Sequence, residues 1–149
     1  MNKIKISKIV SIAVFLLAVI GLSFLILKRK ILADNIIGII FQVGAFGLMV
    51  WARITFGTRS FHASANTTKG RLVTNGPYKL LRHPIYAAII YFVWAGVFCY
   101  GSVYAILLAA LISACLIVRM LLKEQFLMAT YDGYKEYCKQ TFRLIPFLF

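Results

Sequence analysis

The chain has 149 residues, 62% of them hydrophobic and 14% charged, where a soluble domain carries about 25% charged residues. That composition excludes intrinsic disorder and argues against an ordinary water-soluble fold. Seventeen Lys and Arg against four Asp and Glu give a formal charge of +13. In a soluble protein this would point to nucleic acid, but here the basic residues bracket long uncharged runs and read as membrane-surface charge.

Ile9 to Leu27 is an uncharged run of 19 residues, and at ~1.5 Å per residue it spans the ~30 Å hydrocarbon layer. Lys3, Lys5 and Lys8 before it would suit a signal peptide. The run is long, however, and ends in Lys28-Arg29-Lys30 without a small-x-small cleavage site, so it is read as a retained first span. Asp34-Asn35 is a helix start signal, and Ile36 to Ala52 is a second span with Gly38, Gly44 and Gly47 as sites of close helix approach. Residues 53–83 form a polar loop containing the turn signal Asn75-Gly76-Pro77.

From His83 to Val118 there is no charged side chain in 36 residues, too many for one span and enough for two joined at Gly101-Ser102. A tight helical hairpin, about 84–100 and 103–122, is expected, with Pro84 in its first turn, where the missing N–H would have no intrahelical partner. The polar remainder, 123–149, carries Tyr131, Tyr134 and Tyr137, breaks at Asp132-Gly133, and reads as an interfacial helix and tail. The expectation is a single all-α integral membrane domain, residues 1–149, with four spans. Both termini and the 53–83 loop then share one side with 14 basic residues against three, which makes that side cytoplasmic. The inner membrane of a prokaryote is the expected location.

Two polar clusters stand at the cytoplasmic ends of these helices. Tyr78, Arg82, His83 and Tyr86 offer a bidentate donor, a titratable ring and two phenols at one helix entrance; an aromatic belt with a snorkelling Arg and a capping His is the plainer reading. Arg119 and Lys123 are like charges four apart on one helix face, an arrangement that calls for an anion between them. Glu124 is the acidic side chain at the end of a span, placed either to meet a ligand or to sit solvated at the rim. Cys99, Cys115 and Cys138 have neither disulfide-framework nor metal spacing and read as packing residues. His62 and His83 have no metal-ligand spacing, and no phosphate loop, dinucleotide fingerprint or nucleophile elbow is present. Neither the first two spans nor the hairpin holds a carboxylate, which weakens a small-transporter reading.

The run Gly76-Pro77-Tyr78, then Arg82-His83-Pro84-x-Tyr86, an apolar hairpin, Arg119, Glu124, Phe126-Leu127, Tyr131, Tyr134, Tyr137 and the ending Arg143-Leu144-Ile145-Pro146 resembles the isoprenylcysteine carboxyl methyltransferases and their relatives, the phospholipid methyltransferases. The resemblance covers roughly residues 60–149. It implies an integral membrane enzyme that moves a methyl group from S-adenosylmethionine to a lipophilic or lipid acceptor, leaving S-adenosylhomocysteine. Carried over by position, it implies cofactor contacts at Gly70, Arg71, Leu72, Val73, Tyr78, His83, Pro84, Ile85 and Tyr86, an acceptor-side catalytic role for Arg119, and a family acidic position at Glu124; the chemistry of methyl transfer from a sulfonium adds Arg82, Glu124 and Tyr134 as cofactor contacts and Glu124 and His83 as candidate catalytic groups. It implies no metal, and no nucleic-acid partner is expected. The sequence departs from the family pattern in having Lys123 at the first of two acidic positions, Ala88 at a glycine, and Tyr131-Asp132 at a Phe-Gly. These departures motivate an alternative, a catalytically silent lipid-binding module on the same scaffold.

Overall fold

A computed structural model describes residues 3–57 and 72–149. In chain order these form α1 (Lys3–Leu27), α2 (Ile36–Phe56), a 3-10 turn (Gly76–Lys79), α3 (Pro84–Tyr100), α4 (Val103–Thr130) and α5 (Tyr134–Gln140). The protein is an all-α membrane protein: α1, α2 and α4 are long and apolar enough to cross a bilayer. The 17-residue α3 is apolar but shorter, rising about 26 Å at the usual pitch.

Local chemistry sets the boundaries. Asn35 caps α2, its Oδ1 accepting from the Gly38 N–H at 2.8 Å. Pro84 opens α3, and Gly101 closes it in the left-handed conformation that lets the hairpin reverse. His83 occupies the N-cap position of α3 without a side-chain capping bond.

Two ends differ from the sequence expectation. α2 runs past Arg53 to Phe56, and α4 runs past position 122 to Thr130, so the first eight residues of the expected tail continue the helix. Lys123 and Glu124 mark where the hydrocarbon would end, but charge does not stop a helix of good helix formers. The break comes at residues 131–133, before α5.

The helices pack side by side in the order α1, α4, α3, α2. Small residues line the seams: Ala18 of α1, Val93 and Val97 of α3, and Ala105, Ala109 and Ile112 of α4 are buried in one apolar cluster. Gly38 permits a close approach of α2 to α3, since a Cβ there would lie 2.5 Å from Cys99 Sγ and 3.3 Å from Ala95 C=O. Gly44 and Gly47, expected to do the same, have no neighbour within 4 Å of the place a Cβ would occupy and make no close contact. Tyr86, Ile90 and Tyr91 continue the packing toward a second cluster of Leu81, Ala87, Met120 and Leu144, which joins the turn, the hairpin and the tail.

Candidate functional site

The site is built where the segment before α3 meets the segment after α4. Gly76 has φ of 57°, and a side chain there would come within 2.7 Å of Thr55 Oγ1, so glycine seats the 3-10 turn directly on the end of α2. Beyond the turn, backbone hydrogen bonds zip the chain to the tail. The Phe142 N–H donates to Leu80 C=O at 2.9 Å, the Arg82 N–H to Phe142 C=O at 2.7 Å, and the His83 N–H to Arg143 C=O at 3.2 Å. Side chains add to this join: Tyr137 donates its hydroxyl to Tyr78 C=O at 2.6 Å, Arg82 Nη1 donates to Cys138 C=O at 2.7 Å, and the Tyr91 hydroxyl donates to Leu144 C=O.

Glu124 is the electrostatic centre of the join and is 3% exposed. Its Oε1 lies 3.1 Å from Arg82 Nε and 3.3 Å from His83 Nε2, and its Oε2 accepts from Arg143 Nε at 3.1 Å. The Arg82 Nε contact is an ion pair without hydrogen-bond alignment. A carboxylate only accepts, so His83 presents its Nε2–H to Glu124. Burial lowers the His83 pKa, against the opposing pull of Glu124, so the ring is neutral near pH 7. One carboxylate thus binds α4, the pre-hairpin turn and the tail.

Above this node lies a cavity of about 330 Å³, at the lower end of the range for pockets that take drug-sized ligands. One side of its wall comes from the turn and the tail: Leu72, Val73, Tyr78, Arg82, Tyr131, Tyr134 and Tyr137. His83, Pro84, Ile85, Tyr86 and Ile89 supply the start of α3. The spanning helices add Phe15 of α1, Arg53 and Phe56 of α2, and Leu116, Arg119 and Lys123 of α4, with the Phe56 ring 5.5 Å from that of Tyr78. Burial raises the pKa of Tyr78, Tyr134 and Tyr137, so all three remain phenols. Among the described residues the buried Tyr134 hydroxyl has no oxygen or nitrogen partner; its hydrogen bond is to the Cys138 sulfur, a weak acceptor. Cys99, Cys115 and Cys138 are free thiols.

Of the residues selected from sequence, Leu72, Val73, Tyr78, Arg82, His83, Pro84, Ile85, Tyr86, Tyr134 and Arg119 therefore border one cavity. Gly70 and Arg71 lie outside the described residues. Glu124 does not border the cavity; it is neither a solvated rim carboxylate nor, in this arrangement, open to a ligand, because its oxygens face Arg82, His83 and Arg143. Arg119 and Lys123 turn to different partners among the described residues. Arg119 Nε donates to the Tyr86 hydroxyl at 3.1 Å and Nη1 to Ser11 C=O at 2.9 Å, while Lys123 Nζ lies 5.6 Å from the centre of the Phe56 ring. Sequence reasoning passed over Phe15, Arg53, Phe56 and Arg143 as site residues. The basic end of α2 beside a polar loop was the available signal for Arg53 and Phe56; nothing in α1 marks Phe15.

Comparison with curated proteins and with solved structures returns no match. The family model described as phospholipid methyltransferase matches residues 33–133, from the capped start of α2 to the break after α4. That span holds the Glu124 node's turn and helix partners and most of the cavity wall. The chain belongs to the phospholipid methyltransferase family of membrane methyltransferases.

Proposed function

We propose that the protein transfers a methyl group from S-adenosylmethionine to a lipophilic acceptor at the cytoplasmic surface of a cell membrane, and that the cavity above Glu124 is where this happens. The observation that carries the reading is the cavity wall itself. It gathers phenol rings and Arg82 from the turn and tail with apolar rings, Arg53, Arg119 and Lys123 from the long helices. A water-soluble nucleotide and a lipid can meet in such a space. The buried Tyr134 hydroxyl, which among the described residues has only the Cys138 sulfur as partner, fits a ligand that supplies a stronger hydrogen bond, since buried polar groups are rarely left without one.

When bound, S-adenosylmethionine supplies a methyl already activated on a sulfonium, so the protein has to position, enclose and balance charge. Tyr78, Tyr86 and Tyr134 present ring faces worth about 0.5–2 kcal/mol each to a cation. His83, neutral and with its N–H committed to Glu124, orients the start of α3 and keeps Nδ1 as an acceptor. Arg82 holds its guanidinium at the wall through Cys138 C=O and Glu124. Arg119, held on the cavity wall by the Tyr86 hydroxyl and Ser11 C=O, orients the acceptor.

The charge pattern favours an acceptor that carries its own anion. Arg53, Arg82, Arg119 and Lys123 border the cavity, and no carboxylate does among the described residues; residues 58–71 contain no Asp or Glu. A lipophilic carboxylate, as in an isoprenylcysteine, needs no general base and pairs with these cations. A phospholipid satisfies the same cations through its phosphate. The positive-inside distribution, with Lys28-Arg29-Lys30 alone at the far end, supports cytoplasmic termini and an inner-membrane location.

The test is calorimetric titration of the purified chain with S-adenosylhomocysteine. Binding is expected, and Tyr134→Phe, which removes one hydroxyl and leaves the packing, is expected to weaken it about tenfold; no binding by the wild-type chain sinks the proposal. Lys123 and Ala88, at positions where the family pattern has an acid and a glycine, favour a second reading, the catalytically silent lipid-binding module. Cofactor binding with no lipid in a native membrane extract gaining one CH₂ in mass would select it. A small transporter has no comparable support: within the helices α1 to α4 the sole carboxylate is Glu124, and it is held by cations.

A further inference from the structure

α1 lies outside the residues matched by the family. Most of its large apolar side chains, Ile9, Ile12, Leu16 and Ile20 among them, face outward. Ser11 is the exception in kind: a polar residue with no exposed surface. It meets Arg119, which is 4% exposed. Arg119 Nη1 donates to Ser11 C=O at 2.9 Å and to Ser11 Oγ at 3.3 Å. One turn further along α1, the Phe15 ring centre lies 4.5 Å from the guanidinium carbon, and Phe15 also borders the cavity. From the other side Arg119 Nε donates to the Tyr86 hydroxyl at 3.1 Å.

A guanidinium buried between spanning helices is costly unless its donors are met and its plane is packed. α1 meets both needs. A helix carbonyl keeps a second lone pair for an outside donor, and a phenyl face accepts the cation. The fork is planar and its donors are fixed relative to one another, so holding Nη1 on Ser11 and Nε on Tyr86 also fixes where the rest of the group is aimed.

We propose that Ser11 and Phe15 are positioning residues that hold Arg119 in its acceptor-orienting pose, which makes α1 a working wall of the site and not only a membrane anchor. The inference rests on the reading of Arg119 given under the proposed function. It predicts that changes in α1 act on the acceptor before the cofactor, because the described contacts of Ser11 and Phe15 are to Arg119 and none is to Tyr78 or Tyr134.

The full chain in detergent micelles is assayed with S-adenosylmethionine and two probes, an S-farnesylcysteine carboxylate and dioleoyl phosphatidylethanolamine, and S-adenosylhomocysteine binding is measured alongside. For Ser11→Ala/Phe15→Leu, KM for the methylated probe is expected to rise about five- to tenfold with kcat nearly constant and S-adenosylhomocysteine affinity unchanged. Ser11→Thr, which keeps the hydroxyl, is expected to behave as wild type. In an Arg119→Lys background the two α1 changes are expected to add no further loss. If the double variant fails to fold, Ser11→Ala alone carries the test, with a rise of about two- to threefold since the carbonyl contact remains. An unchanged KM overturns the inference, as does a joint loss of acceptor and cofactor affinity that Ser11→Thr does not rescue, which would mark a merely structural contact. Should neither probe turn over, binding of the farnesylcysteine carboxylate to the S-adenosylhomocysteine complex gives the same comparison, and its absence counts against the inference. A wild-type chain that binds no S-adenosylhomocysteine overturns the proposed function and this inference together; an active chain indifferent to Ser11 and Phe15 overturns this inference alone.

Discussion

At the end of the bundle where α1 joins α2 and α3 joins α4, the chain is fixed by neutral hydrogen bonds and close backbone packing. Gln42, 6% exposed, donates to Ile31 C=O at 2.6 Å and Phe92 C=O at 3.1 Å and accepts from the Ala33 N–H at 3.0 Å. Gly96 leaves room for the Ile31 carbonyl, with which any side chain there would collide. At the opposite end the turn and tail are fixed by one buried carboxylate and its cations. Both devices tie a loop to the helix ends, but they fail differently. A neutral hub loses a few hydrogen bonds when cut; a charged hub, cut at its centre, leaves the buried Arg82 guanidinium without its counter-charge. The charged device stands beside the cavity, where a field suited to charged ligands is useful, and the neutral one stands at the end remote from it.

The largest effect is expected from the charged hub. Glu124→Gln leaves Arg82 and Arg143 without their counter-charge and should cost about 3–5 kcal/mol, read as a fall in thermal unfolding temperature and as new proteolytic cleavage in the tail. A smaller loss from an isosteric neutral substitution would show that water reaches the node. At the neutral hub, Gln42→Leu strands the Ile31 and Phe92 carbonyls and the Ala33 N–H, with an expected cost of about 1–3 kcal/mol and no change in tail proteolysis.

The two hubs should also separate by pH. The His83 pKa lies below its ordinary value of 6.5 in the folded chain. Below about pH 6.5 the unfolded chain therefore binds a proton that the folded chain does not, and stability falls as pH drops, by at most about 1.4 kcal/mol per pH unit, until the folded ring itself protonates. Denaturation followed from pH 8 to pH 5 should show this slope in wild type and lose it in His83→Gln, whereas Gln42→Leu should retain it. The smallest effect is expected on the surface: Glu136 pairs with Lys139 at 2.9 Å, but both are largely exposed, and Glu136→Gln should leave the unfolding temperature unchanged within error.

The long helices were legible because a bilayer asks mainly for a long enough apolar run, and α1, α2 and α4 each contain one. The turn at Gly101-Ser102 and the caps at Asn35 and Pro84 were legible for a similar reason, since each depends on one or two neighbouring residues. The end of α4 was not. Lys123 and Glu124 look like the rim of a membrane until Arg82, His83 and Arg143 are placed around Glu124, and these come from positions 42 and 41 residues before it and 19 after.

The amino-acid order by itself determined the helices, their approximate ends, the uncharged hairpin and the tyrosine, arginine and histidine residues that flank it, because these follow from hydrophobic length and local turn chemistry. Only the tertiary structure decided that Glu124 is a buried clamp beneath the cavity, that Phe15, Arg53 and Phe56 complete its wall, and that Ser11 of the first helix reaches Arg119, 108 residues away. Side-chain pairing between distant segments depends on which helices lie side by side, and the order α1, α4, α3, α2 is written in no single stretch of sequence.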